Sequence, residues 1–122
     1  MDRIQMTLPR VPVSVARARA GLRPLRDALG DRYEDAVLLV SELVTNAVRH
    51  GEGPTMQLEA RAEAGRCRIE VVDGGSGFQP PQYIQDPEFI GGRGLPTVQA
   101  LSDRWGVYEG NSTHVWFELE IP

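Results

Sequence analysis

The 122-residue chain contains no lysine, and all 13 of its basic residues are arginine. That absence excludes a Walker-type phosphate loop, which needs Gly-Lys-Ser/Thr, and Schiff-base chemistry, which needs a lysine amine. A phosphate ligand would have to be met by backbone amides, arginine and metal. Cysteine is reduced to Cys67. One thiol forms no internal disulfide and no thiolate metal cluster, which points to a cytoplasmic protein. Cys67 itself reads as a small buried hydrophobe. No apolar run approaches the roughly 20 residues that span a bilayer, and residues 1–10 lack the apolar core of a signal peptide. An excess of positive charge is missing too: 13 basic residues face 17 acidic ones, for a net charge of −4. A broad nucleic-acid surface needs many phosphate-neutralising cations, so direct nucleic-acid binding is not expected. Protein partners and compact anionic ligands stay open.

What is present fits an ordinary globular protein, with 41% hydrophobic and 25% charged residues. The length suits one domain over 1–122, with no repeat, low-complexity tract or linker. Alternation predicts a strand over 3–8, where Ile4, Met6 and Leu8 share one face. A helix fits 14–29, although Pro24 should kink or split it. Gly30 reads as its stop and Asp31 as the N-cap of the next helix. That helix, over 31–50, is the clearest element, with Tyr33, Ala36, Val37, Val40, Leu43, Val44 and Ala47 at helical spacing. Gly51, Gly53 and Pro54 end it.

Strands with one wet face follow over 56–63 and 67–72, joined through Ala64, Gly65 and Arg66. A glycine loop covers 73–78. Residues 79–90 contain Pro80, Pro81 and Pro87, have no amphipathic period, and read as a lid that closes over a ligand. A second glycine loop over 91–94 leads into a short helix over 95–102. Strands over 105–108 and 113–121 close the chain. Trp105 and Phe117 read as core, and Trp116 as exposed or in an interface. The expected fold class is α+β: a two-layer α/β sandwich in which a mixed or mostly antiparallel sheet carries helices on one face.

Three features could carry chemistry. Glu42 and Asn46 lie four apart on the second helix and share a face, which Arg49 extends by nearly another turn. An Asn side-chain carbonyl suits a hard cation such as Mg²⁺, and a nearby carboxylate can take a proton from water or a hydroxyl. Taken alone, such residues also suit a solvated helix face. Asp73-Gly74-Gly75-Ser76-Gly77-Phe78 follows directly on a strand. Its glycines permit close approach of backbone to ligand, and Asp73 can accept from an exocyclic amine, although Asp-Gly is also a common hairpin turn. Gly91-Gly92-Arg93-Gly94-Leu95 precedes a helix, so its amides and helix start favour an anion, with Arg93 adding charge. A lone glycine loop is equally an ordinary helix entry.

In order and spacing the three together resemble the ATP-binding superfamily shared by gyrase, histidine kinases, heat-shock chaperones and mismatch-repair ATPases, over about 11–121. Glu42-Leu43-Val44-Thr45-Asn46-Ala47 resembles its N-box, Asp73-Gly74-Gly75-Ser76-Gly77 its first glycine box, and Gly92-Arg93-Gly94-Leu95 its second. The string Glu-Leu-Val-Thr-Asn-Ala-Val and the pattern Ala100-Leu101-Ser102-Asp103-Arg104-Trp105-Gly106-Val107 most resemble bacterial anti-sigma-factor serine/threonine kinases. That resemblance implies a Bergerat-type ATP-binding fold with ATP and Mg²⁺ as cofactors. It implies Asn46 as metal ligand, Glu42 as general base and Asp73 as acceptor of the adenine amine. Gly75 and Gly77 would pass beside the base, and Gly92, Arg93, Gly94 and Leu95 would face the phosphates, with Arg49 nearby. A last-strand threonine would complete the adenine side. The run Asn111-Ser112-Thr113-His114 offers Thr113, or His114 after a slip of one residue. The implied partners are a sigma factor and an anti-sigma-factor antagonist protein, a homodimer being compatible, with no membrane partner.

Two functions remain open: a serine/threonine kinase with anti-sigma activity, and a non-catalytic module that uses ATP to gate protein binding. A histidine-kinase catalytic fragment is disfavoured. Its phosphoacceptor histidine belongs on an upstream dimerisation helix, whereas His50 lies beside Asn46 and His114 in a strand.

Overall fold

The computed structural model describes residues 2–74, 82–84 and 96–122. Among these residues six strands form one sheet in the order β1-β2-β3-β6-β5-β4. These are β1 (Asp2–Pro9), β2 (Thr55–Glu63), β3 (Arg66–Asp73), β4 (Gln82–Ile84), β5 (Arg104–Glu109) and β6 (Thr113–Glu120). Every pairing is antiparallel. The sheet is therefore the antiparallel option of the expected α+β sandwich.

The alternation read from the sequence decides which face is covered. Met56, Leu58, Ala60 and Ala62 of β2 are buried, as are Cys67, Ile69 and Val71 of β3 and Val115, Phe117 and Leu119 of β6. The helices α1 (Ser14–Gly21), α2 (Arg26–Leu29), α3 (Tyr33–His50) and α4 (Pro96–Leu101) supply Ala18, Leu29, Leu39, Val40, Leu43 and Val98 to the same core, and the link between α1 and α2 adds Leu22 and Leu25. Burial pushes the Cys67 thiol up to about 11, because a thiolate is poorly solvated there. The lone cysteine is thus packing rather than reactivity.

The local expectations fare differently. Pro24 does split the first helical stretch: a 3₁₀ turn, Arg23–Leu25, separates α1 from α2. Asp31 is not an N-cap. Gly30–Arg32 forms another 3₁₀ turn, and α3 begins at Tyr33 without a side-chain cap. Glu34 and Asp35 in its first turn meet the helix dipole instead, and Arg32 Nε donates to Asp35 Oδ2 at 3.1 Å. Within the expected lid, Gln82–Ile84 is an edge strand paired with Val107–Glu109; the rest of 79–90 lies outside the described residues.

The second face of the sheet is not bare either. Trp116 is 8% exposed, with the Arg68 guanidinium 4.1 Å from its ring centroid. Glu118 lies beside it within 4.0 Å of Arg66, Arg68 and Arg104. Trp105, read as core, is partly buried against it.

Candidate functional site

Helix α3 reaches along the sheet toward the C-terminal end of β3, and the candidate residues gather there. Asn46 does not sit on a solvated face. It is 3% exposed, because its position falls at the edge of the stripe formed by Leu39, Leu43 and Ala47. Among the described residues neither Asn46 Oδ1 nor Nδ2 has a hydrogen-bond partner. Such a group costs about 1–3 kcal/mol when left unmade, so a buried amide with no partner among the described residues makes Asn46 a candidate ligand position. A Mg²⁺ ion takes one or two protein oxygens and completes its shell with phosphate and water. One Asn46 oxygen without a partner among the described residues suits that demand without a cluster of acidic ligands, and among the same residues there is no such cluster.

One turn earlier, Glu42 is half-buried. Thr97, at the start of α4, donates from Oγ1 to Glu42 Oε1 at 3.4 Å. The carboxylate therefore faces the helix that follows the second glycine loop. Arg49, one turn beyond Asn46, is exposed.

Asp73 ends β3 and is 5% exposed. Its Oδ1 accepts from the Glu52 N–H at 3.3 Å. In the sheet register Asp73 faces Thr113 across the β3–β6 pair, and Thr113 is 6% exposed on the helix-covered side. The strand period then sends His114 to the other face. There its Nδ1 lies 2.9 Å from Glu70 Oε1 and its Nε2 2.9 Å from Ser112 Oγ. Of the two last-strand alternatives, Thr113 is the one beside Asp73.

The chain between α3 and β2 is built tightly around that aspartate. A Cβ on Gly51 would fall 2.7 Å from Asp73 Oδ2 and against the Ala47 carbonyl. The Gly74 N–H donates to the Glu52 carbonyl at 2.8 Å. Thr97, Gly51 and Glu52 were not singled out from the sequence as site residues. Gly51 read only as a helix stop; nothing in a single sequence tells that the stop must also clear a carboxylate 22 positions on. Gly75, Gly77, Gly92, Arg93, Gly94 and Leu95 lie outside the described residues.

The fold is an α/β sandwich, an antiparallel sheet backed by helices on one face, with a buried amide on α3 and a buried carboxylate and a buried threonine facing each other on β3 and β6. The model of the histidine kinase-like ATPase domain matches residues 8–119, and the chain belongs to that family. Among curated proteins it is similar to the serine-protein kinase RsbW of Listeria innocua, 29% identical over 125 residues covering 88% of this chain and 80% of the relative. The RsbW protein of Listeria monocytogenes shows the same identity and coverage. That of Bacillus velezensis is 28% identical over 133 residues, 94% of this chain and 83% of the relative. The resemblance to anti-sigma-factor kinases read from the motifs thus meets relatives that carry a kinase name. No helix among the described residues is long and apolar enough to cross a membrane.

Proposed function

We propose that the protein is a cytoplasmic Mg-ATP-binding regulator that transfers phosphoryl groups to a serine or threonine of an antagonist protein and sequesters a sigma factor. The observation that carries the nucleotide reading is the buried amide of Asn46, without a partner among the described residues, one turn from Glu42 and on the helix that ends against Asp73. The kinase reading is supported by the name of the RsbW relatives and by the carboxylate at Glu42. The partners follow from the motif resemblance.

On this reading Asn46 Oδ1 holds Mg²⁺, which when bound neutralises phosphate charge. Asp73 accepts from the exocyclic amine of adenine, Thr113 lies beside it in the adjacent strand, and Gly75 and Gly77 give the base room. Gly92, Arg93, Gly94 and Leu95, with Arg49, meet the phosphates. Glu42 orients the attacking hydroxyl and takes its proton, which is most of what phosphoryl transfer asks of a protein beyond positioning and metal. The same Asp73 carboxylate disfavours guanine, which presents a carbonyl oxygen where adenine presents an amine, and a site built to pair a polar group rejects analogues that leave it unpaired.

A second reading, an ATP-gated binding module without chemistry, is favoured by one contact: Glu42 already accepts from Thr97, as a purely structural carboxylate would. Glu42→Gln separates the two. It keeps size and hydrogen bonding but cannot take a proton. The kinase reading expects unchanged ATP affinity and a loss of partner phosphorylation of roughly a hundredfold or more. Phosphorylation at the wild-type rate would remove Glu42 as base, and a wild type that phosphorylates no partner would favour the module.

A further inference from the structure

Arg10 follows directly on β1, far in sequence from every motif of the site, yet it is bonded to three positions that frame Asp73. Its Nε donates to the Gly53 carbonyl at 2.6 Å and its Nη1 to the Val48 carbonyl at 2.9 Å. Its backbone N–H donates to the Pro54 carbonyl at 3.0 Å. Val48 lies in the last turn of α3, where carbonyls lack an intrahelical partner and a cation is favoured by the helix dipole. One planar side chain thus ties the end of α3 to the segment after it, and that segment is what grips the aspartate. The Glu52 N–H donates to Asp73 Oδ1, and the Glu52 carbonyl accepts from Gly74 at the mouth of the first glycine loop. The backbone there has little slack. Gly53 holds φ at +84°, a Cβ on Gly51 would meet Asp73, and a Cβ on Gly74 would come 2.7 Å from the Glu52 carbonyl.

We propose that Arg10 is a positioning residue for base recognition: by clamping the Val48 and Gly53 carbonyls it fixes the Glu52 peptide, and through it the carboxylate of Asp73. The inference rests on the reading of Asp73 as the adenine acceptor. It goes beyond helix capping, which would require only the bond to Val48. The bond to Gly53 is the one that reaches the far side of the Glu52 peptide. Two donors held in a fixed fork suit arginine, whereas a lysine ammonium is a point donor on a flexible stem.

The test compares the full-length wild type with Arg10→Gln, Arg10→Lys and Arg32→Gln, measuring ATP and GTP affinity by calorimetry and thermal midpoint in parallel. Arg32 is the control for stability alone. It bonds Asp35, Asp103 and the Leu101 carbonyl, at the opposite end of α3 from Asp73. Displacing a recognition group slightly costs binding steeply, so Arg10→Gln should lower ATP affinity about tenfold, while GTP, which gains nothing from Asp73, changes little. The ATP-over-GTP ratio therefore shrinks about tenfold, and Arg10→Lys recovers part of it. Arg32→Gln should lower the thermal midpoint with the ratio intact. An unchanged ratio in Arg10→Gln overturns the proposal whatever happens to its midpoint. If that variant does not fold, Arg10→Lys at the wild-type ratio does the same. A wild type that binds ATP and GTP equally removes the Asp73 reading first and this proposal with it.

Discussion

Asn46 concentrates the energetic logic of the site. Its amide is buried without a partner among the described residues, in a helix whose neighbouring core positions are apolar. A protein selected only for stability would place leucine there, since replacing an unpaired polar group by an apolar one of similar shape is close to neutral or stabilising. Asn46→Leu should therefore leave the thermal midpoint of the nucleotide-free protein unchanged or raise it. The same substitution should abolish the rise in midpoint that Mg-ATP gives the wild type through mass action. A variant that loses stability without nucleotide, yet keeps the full Mg-ATP shift, would assign Asn46 a structural role instead.

At the scale of elements, the β2–β3 hairpin shows how a sequence can fall short of its own fold. Its two connecting residues both take left-handed backbone, Ala64 at φ 53 and Gly65 at φ 77, the geometry that matches the right-handed twist of the strands. Glycine adopts it freely; alanine pays about 1 kcal/mol. Ala64→Asn places the preferred residue at that position and should raise stability by roughly 0.5–1 kcal/mol in denaturant unfolding. An unchanged or lowered midpoint of that transition would count against strain at Ala64.

The turn itself was legible, as were α3 and the alternating strands, because their apolar periods are long and their cores contiguous. Three things were not. β4 spans three residues, Gln82–Ile84, too short to show a period, and it is held by its pairing to β5. The start of α3 is hidden because Asp31 is a residue type that caps helices, while a 3₁₀ turn occupies that place. The role of Arg10 has no sequence signal, because its side chain reaches carbonyls 38 and 43 positions away and backbone acceptors leave no trace in a sequence. Of the candidate site, Asn46, Asp73 and Thr113 were named from their motifs, whereas the burial that sets them apart from ordinary polar residues needed the fold.

At the scale of the whole molecule, the sheet divides the work between its faces. The helix-covered face carries the core and, at one end, Asn46, Asp73 and Thr113. The other face carries Arg68 over Trp116 and Glu118 among three arginines. With no lysine anywhere, nucleotide binding would have to draw on metal, arginine and backbone amides, so its dependence on Mg²⁺ should be strong. Calorimetric titration of the full chain with ATP, with and without Mg²⁺, tests this most directly. The account predicts saturable binding that weakens markedly when Mg²⁺ is withheld. No detectable binding at millimolar ATP in the presence of Mg²⁺ would contradict it.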